Sequence, residues 1–399
     1  EPQGRFLRAL LLLTDPLDCE PASKQDRDQR PNDQATLNAM RIAIISTSYP
    51  ASHDDPSGHF VRTETRALIE AGHEVCLFVP DMARRSEPSH DLHELPHWGL
   101  FGWPGALERL RPRPLRALGL LPFVAAARIE LDRCGPFDRV IAHWIVPSFW
   151  PVCRDFGVET VVVAHGSDVG ELERMPTWLR RRVVHALQRP RISVRAVSQD
   201  LSLRLQTLAA EHAADARHTL SIAVEPAVIE IPALAPRDQL RRELGLPAGP
   251  VVVVVGRVVQ DKRIDVAVLA TLGAVERAHL PDATTILVIG DGPERERLRQ
   301  RFPTVGWLGQ IGREQALRYI RAADLLVSAS EREGAPTVVR EARALGTAVV
   351  AAEAGDLRNR AADDPELYVV EHFSAAPDGR AATIIAERLR CRARKHAEP

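Results

Sequence analysis

The stretch from Glu331 to Glu341 reads "EREGAPTVVRE" and places two carboxylates, Glu333 and Glu341, around a Gly-x-Pro turn, Gly334-Ala335-Pro336. Proline is favoured at the first helical position, so the pattern predicts a helix starting near Pro336. An apolar run, "ADLLVSAS", precedes the stretch and another, "GTAVVAA", follows it. The glutamates therefore sit on a loop between the carboxyl end of a strand and a helix, where open α/β sheets bind ligands. The N–H groups that open this helix, Thr337 and Val338 among them, carry the positive end of its dipole and form an anion site suited to a diphosphate. Arg257 and Lys262, in "GRVVQDK", follow a second strand-like run, "VVVVV", and reach the same edge. There they would neutralise charge on a departing phosphate. Glu341, about one turn into the helix, can accept two hydrogen bonds from vicinal hydroxyls such as those of a ribose. Glu333, ahead of the helix, can accept from sugar hydroxyls. Each residue alone has an ordinary explanation: surface Arg and Lys are commonly solvated, and an acidic side chain near a helix start complements the dipole. "GDGP" (290–293) reads equally as a tight turn and as a ligand loop. The ordered occurrence of all of them on successive strand ends points to a ligand.

The elements that must carry these residues recur along the chain. From Met40, "RIAIIST" reads as a strand, "HFVRTETRALIEAG" as a helix closed by Gly72, and "HEVCLFVP" as the next strand. Together they form a right-handed βαβ unit. "FDRVIAHW", "GVETVVVAHGSD" and "RISVRAVS" supply three more buried-strand patterns. The rhythm breaks at 210–250, which is proline-rich, and restarts with "GPVVVVVGRV", a β-branched run that needs both faces buried. "TTILVIGDGP", "VGWLG", "DLLVSAS" and "TAVVAA" follow as strands, with helical stretches between them. The expected class is α/β, with two Rossmann-like β/α/β domains facing each other across a cleft. The expected organisation is a disordered extension over 1–39, one domain over 40–215, a donor-binding domain over 216–375, and a basic helix or tail over 376–399.

In the first half, "AHGSDV" follows a strand, so His165 and Asp168 are placed at a strand end, where His165 can bond a sugar hydroxyl or a phosphate. His143 and Trp144, in "AHWIVP", read as packing residues. Gly58, in "DDPSGHFV", precedes the first helix and allows close backbone approach of a ligand. The bulk numbers set limits. With 399 residues, two domains are the natural expectation. A net charge of −1 gives no basic excess of the kind nucleic-acid binding needs. Five cysteines without C-x-x-C spacing read as reduced thiols of a cytoplasmic protein. No apolar run of about 18 residues offers a membrane span. The stretch 174–191, "RMPTWLRRRVVHALQRPR", and "RLRCRARKH" near the end are basic, and such patches can dock on anionic membrane surfaces.

The second half resembles the donor domain of the retaining GT-B glycosyltransferases of family 4. The likeness rests on E-x7-E at Glu333 and Glu341 and on "GRVVQDK", "GDGP", "GWLGQ" and "AADLLVSAS" in order. "MRIAIISTSYP", "EAGHEV", "AHW" and "HGSD" resemble the acceptor half, so the likeness covers about residues 40 to 370. The resemblance implies transfer of a sugar from a nucleotide-diphosphate donor, UDP- or GDP-linked, to a hydroxyl with retention. Its acceptor would be a glycan, a lipid-linked sugar or a small molecule. It implies that Glu333 and His165 act at the reacting sugar and that Glu341 binds the ribose. Arg257 and Lys262 would bind the diphosphate, with Gly334 and the backbone of Thr337 and Val338 around it, and the segment near Ile311 would hold the base. Gly58 and Asp168 would serve the acceptor and phosphate loop. No metal or bound cofactor is implied, and the protein would be cytoplasmic, peripheral at the inner face of the cell membrane where a basic patch docks. Three positions depart from the pattern. Arg263 and Asp356 stand where glycine is common, and the first-half loop has a single glycine, Gly58. A non-catalytic nucleotide-binding or partner-binding subunit and a sugar-nucleotide epimerase are the alternative readings.

Overall fold

A computed structural model of the chain describes residues 39–52, 54–82, 91–153, 157–212, 220–280 and 284–397. All but the last residue of the expected N-terminal extension lies outside this set, as does the expected domain boundary at 215/216. The chain forms two units. One takes residues up to 53, 57–196 and 204–223; the other takes 54–56, 197–203 and 224 onward.

The first unit is built on β1 (Arg41–Ile45), β2 (Glu74–Pro80), β3 (Asp91–Leu95), β4 (Arg139–His143), β5 (Glu159–Ala164), β6 (Ile192–Ala196) and β7 (Ile222–Val224). Their order across the sheet is β3-β2-β1-β4-β5-β6-β7. The pairs from β3 through β6 are parallel. The second unit holds β8 (Val251–Val255), β9 (Thr285–Ile289), β10 (Gly306–Gly309), β11 (Leu325–Ser328), β12 (Ala348–Ala352) and β13 (Leu367–Val370). Here the order is β10-β9-β8-β11-β12-β13, again parallel. Each sheet starts at its middle, winds outward one way, then returns to wind the other way. The strand order therefore reverses between β1 and β4 and between β8 and β11, and the carboxyl ends flanking each reversal open a crevice for ligands.

Helices follow the strands: α1 (His59–Glu70), α2 (Leu120–Cys134), α3 (Ser167–Arg174), α4 (Thr177–Leu187), α5 (Ile264–Ala278), α6 (Arg313–Ala322), α7 (Thr337–Ala344), α8 (Leu357–Asp363) and α9 (Arg380–Ala397). The run of valines in β8 meets the expectation that both its faces are buried. Val252 and Val254 pack with α5 and α9, while Val251 and Val253 face the α6 to α8 side. Burying each valine contributes about 1.5–3 kcal/mol, so this strand alone anchors the sheet centre.

Some elements carried no readable pattern. β3 reads "DLHEL", with polar residues along an edge strand, and β13 is a short edge strand. Within the basic helix or tail expected over 376–399, residues 380–397 form α9, which packs on the core of the second unit. Ala381, Ala382, Ile385, Ala386 and Leu389, on one helical stripe, are all buried there.

Candidate functional site

In the second unit, Arg257 and Lys262 follow β8, and Glu333 follows β11, at the two strands that flank the reversal. The Lys262 ammonium is paired with the Glu333 carboxylate. Burial pushes the Glu333 carboxyl up, but Lys262, a hydrogen bond from Ser330 and the nearby Arg257 outweigh it and hold the group below its ordinary value. Glu333 is therefore a carboxylate at neutral pH. Its loop is fixed from behind by Gly355, whose φ is +54. A Cβ there would lie 2.0 Å from the carbonyl oxygen of Gly334, so only glycine lets these two backbones touch.

The helix expected to open at Pro336 opens one residue later. Pro336 has ψ 106, outside the helical range, and serves as the N-cap of α7, with Thr337 the first helical residue. No side chain caps this end, and its first turn holds no acidic residue. The N–H groups of the first turn, Thr337 and Val338 included, have no intrahelical acceptor and carry the positive dipole end.

Glu341 lies on α7 and is buried. Its carboxylate accepts a 2.7 Å hydrogen bond from Nη2 of Arg313, a residue that sequence reasoning missed. Arg313 opens α6 just beyond Ile311 and also donates to the carbonyl of Glu230 at 2.8 Å. A signal was available, because a cation in the first turn opposes the helix dipole and calls for a partner. Burial raises the Glu341 carboxyl above its ordinary value, against the opposing pull of Arg313 and Arg340. Ile311 packs, half-buried, on the hydrophobic cluster of this face of the sheet.

Two of the departures from the glycine pattern are resolved locally. Arg263 adopts the left-handed conformation (φ 50, ψ 43) that glycine would take easily, and caps α5. Its guanidinium pairs with Glu331 and donates to the carbonyl of Phe373 at 3.0 Å. Asp356 has φ −92, which any residue can adopt, and pairs with Arg360 one turn along α8.

In the first unit, Gly58 (φ +64) is the N-cap of α1, and a Cβ there would lie 2.3 Å from the carbonyl oxygen of Ser48. The turn after β1 thus closes tightly onto the helix start. His165, after β5, is half-buried, with Phe60 and Trp144 against its ring at 4.8 and 4.5 Å between centroids. His143, expected only to pack, is fully buried and also hydrogen-bonds His165, Nδ1 to Nε2 at 3.0 Å. Asp168 has backbone partners that the sequence did not show. Expected to serve a ligand, it is buried, with Oδ2 accepting from the Ile145 N–H and Oδ1 from those of His165 and Gly166. These bonds from backbone donors tie the loop after β5 to the one after β4. Burial raises the Asp168 pKa, and the backbone hydrogen bonds oppose that.

The cysteines, scattered in sequence, are partly gathered in space. Cys134 on α2 lies 3.5 Å from Nε2 of His93 on β3, beside Glu130. Cys76 donates to Asp91 at 2.9 Å. Arg133 and Arg41 already neutralise Glu130 and Glu74 of these groups. Both lie at the β2–β3 edge of the first sheet, apart from the strand ends that carry His143 and His165. The basic stretch 174–191 forms the end of α3 and all of α4. Trp178, Arg181 and Arg182 are exposed, but Leu179 is buried and Arg180 turns back to the carbonyl of Met175. Among the described residues, no helix is long and apolar enough to cross a membrane.

Residues 249–386 match the family model described as glycosyl transferases group 1. The chain is 26% identical to the putative teichuronic acid biosynthesis glycosyltransferase TuaC of Bacillus subtilis, over 79% of this chain and 82% of that protein. It is also 26% identical to a GDP-mannose-dependent alpha-mannosyltransferase of Mycolicibacterium smegmatis, over 88% of this chain and 90% of that one. Among solved structures it is similar to sucrose-phosphate synthase from Thermosynechococcus elongatus, with TM-score 0.64 and 22% identity, covering 89% of this chain and 94% of the other. The fold, two Rossmann-like units with parallel sheets, is that of the GT-B glycosyltransferases, and the sequence likenesses support a glycosyltransferase.

Proposed function

We propose that the chain transfers a hexosyl unit from a UDP- or GDP-sugar to a hydroxyl of a glycan, a lipid-linked sugar or a small molecule, with retention at the anomeric carbon. The observation that carries this reading is the pair of cation-held glutamates, Lys262–Glu333 and Arg313–Glu341, around the uncapped start of α7. In this reading the α7 N–H groups, Arg257 and Lys262 hold the diphosphate, Glu341 accepts from ribose hydroxyls, and Ile311 lines the base. Glu333 accepts from hydroxyls of the transferred sugar. The bond from the anomeric carbon to the diphosphate oxygen breaks, its electron pair leaving with the phosphate. The acceptor oxygen bonds to that carbon on the same face, and its proton passes to the departing phosphate oxygen. Catalysis is then positioning and charge stabilisation, with no metal or bound cofactor.

The test is a thermal-shift panel with UDP- and GDP-sugars, followed by turnover of Glu333→Gln. Ligand at a hundredfold over its Kd adds about 2.7 kcal/mol. A shift with one base, lost in Glu341→Ala, together with transfer reduced at least ~100-fold in Glu333→Gln, is the expected result, since a preorganised polar group at the reacting centre is worth roughly 10²–10³ in kcat. Wild-type transfer in that variant would remove Glu333 from the reaction. NMR of the product anomer decides retention. Donor consumed without acceptor to give an isomerised sugar would establish the epimerase reading instead, and no shift with any nucleotide would favour the non-catalytic one. The GDP-mannose dependence of the mycobacterial relative puts GDP-mannose first in the panel. Exposed Trp178, Arg181 and Arg182 on α4 support docking on an anionic membrane surface. Sedimentation with anionic vesicles at low salt tests this, and no binding would remove it.

A further inference from the structure

One chain of polar contacts in the first unit runs Arg195–Glu64–His143–His165. Arg195, on β6, pairs with Oε1 of Glu64 on α1. Oε2 of Glu64 lies 3.6 Å from Nε2 of His143. Nδ1 of His143 lies 3.0 Å from Nε2 of His165. His143 is fully buried, and its Nε2 has no hydrogen-bond partner within normal range. The Glu64 carboxylate is the charged acceptor facing it.

Both imidazoles are neutral. Burial, reinforced by the positive charge of Arg195, holds His143 at about 3 and His165 well below the ordinary histidine value, with His143 also lowering His165. The groups facing the pair are Glu64, Arg195, the rings of Phe60 and Trp144, and Asp168, whose carboxylate is turned to backbone N–H groups. Two neutral imidazoles share one proton across their hydrogen bond, so the bond has two polarities. If His143 Nδ1 carries that proton, His143 Nε2 presents a lone pair to a carboxylate in a buried site, acceptor against acceptor. If His143 Nε2 carries a proton, it faces Glu64, and Nδ1 accepts from the N–H of His165 Nε2. A carboxylate 3.6 Å from Nε2 attracts an N–H and repels a lone pair, which favours the second polarity by roughly tenfold or more.

We propose that Glu64 and His143 are positioning residues that hold His165 as the Nε2–H tautomer, so that its Nδ1 presents a lone pair to a substrate hydroxyl. Among the described residues, that Nδ1 makes no hydrogen bond to the protein. A neutral imidazole presenting only a lone pair accepts from a hydroxyl and offers nothing to a phosphate oxygen, which also only accepts. The sequence left His165 open to either ligand. The relay selects the hydroxyl, and this step rests on the glycosyl-transfer reading only for the name of the substrate.

The test uses the full chain labelled with 15N-histidine and long-range proton–nitrogen correlation spectra, which distinguish the two tautomers and the imidazolium. Loss of resonances in His143→Gln and His165→Gln assigns the two rings. The expected result is Nε2–H, neutral, at both residues between about pH 6 and 8. In Glu64→Gln the amide still accepts from Arg195 and turns its NH2 toward His143. Both imidazoles then flip to Nδ1–H, and kcat/KM for transfer falls at least ~10-fold while Kd for the nucleoside diphosphate stays unchanged. An Nδ1–H or charged His165 in the wild-type chain overturns the proposal, and so do unchanged tautomers in Glu64→Gln. If Glu64→Gln does not fold, the wild-type tautomers alone decide. Tautomers as stated, in a chain that transfers no sugar, would support the relay and remove the glycosyl-transfer reading.

Discussion

Removing Arg313 should expose how much the Glu341 site depends on a single cation. Arg313→Met keeps an unbranched stem out to the position of Nε and deletes the charged guanidinium. The side chains of Arg313 and Glu341 are 17% and 9% exposed, so the pair is largely screened from water. Stripping one partner from a buried pair costs about 3–5 kcal/mol, because the remaining charge is uncompensated. Two features set the value here. Glu341 can escape by taking up a proton, at about 1.4 kcal/mol for each unit between its native pKa and the ambient pH. The hydrogen bond from Arg313 to the Glu230 carbonyl is lost as well, adding about 1 kcal/mol. The expected cost at pH 7.5 is about 3 kcal/mol, or roughly 6–12 °C in the melting of the second unit. Calorimetry is the assay, since two units need not melt together. The pH dependence has a definite sign. The native Glu341 carboxyl is raised, so the folded state holds its proton more tightly than the unfolded chain does. Its unfavourable contribution is present above the native pKa and fades as pH falls toward the ordinary value of 4.5. The Arg313→Met penalty should therefore be larger at pH 8 than at pH 5. Adding Glu341→Gln should recover all but about 1 kcal/mol, the part owed to Glu230. A single variant as stable as the wild type, or a double variant no better than the single, would refute the reasoning.

Three other outcomes follow from the same site. Gly355→Ala would set a Cβ 2.0 Å from the Gly334 carbonyl at φ +54 and should cost more than about 2 kcal/mol, with a larger relative loss of transfer than of nucleotide binding. Equal losses in both would show that the turn does not position Glu333. Glu333 has the opposite pH sign to Glu341. Its pKa is lowered, so its contribution is present above the ordinary value of 4.5 and disappears as pH falls through the native value. Glu333→Gln should thus be less stable than wild type at pH 7 and equal to it in acid, by calorimetry at both pH values. Arg263→Gly relieves a left-handed non-glycine conformation worth about 1–2 kcal/mol and gives up an exposed pair with Glu331 worth about 0–1 kcal/mol. Its melting temperature should stay within a few degrees of wild type, and a large drop would mean that the Phe373 contact is what fixes the α5 cap.

The strands of both units, and the cations and glutamates that follow β8 and β11, were legible because each is written locally. Buried strands show as β-branched runs, and strand ends show as the polar residues that follow them. The partners were not legible. Arg313 and Glu341 are separated by a strand and most of two helices, and only the sheet order brings α6 beside α7. The backbone partners of Asp168 were hidden for the same reason. A carboxylate after a strand looks like a ligand group until the fold shows that the N–H of Ile145, from the neighbouring strand's loop, already occupies it. His143 looked like packing because burial is what its apolar neighbours predict, and burial says nothing about which polar atom waits at its edge.

The pKa values of the two glutamates of one short stretch are pushed in opposite directions, although each has a cation. Glu333 lies on the loop, half-buried, with Lys262, Ser330 and Arg257 all favouring its charged form, and together they overcome its desolvation. Glu341 lies deeper on the helix, where Arg313 is its hydrogen-bonding cation and desolvation wins. Environments that push two neighbouring carboxyl groups apart are how one site assigns them different work. A carboxylate kept charged beside two cations suits the place where charge develops and departs. A carboxylate that gains from every donor brought to it suits a pair of hydroxyls, because each hydrogen bond to its charged form offsets part of the desolvation. Binding of a diol-bearing nucleotide should therefore lower the Glu341 pKa and release a fraction of a proton near that pKa. Titration calorimetry in two buffers of different ionisation enthalpy measures this directly, and proton uptake on binding would reverse the assignment.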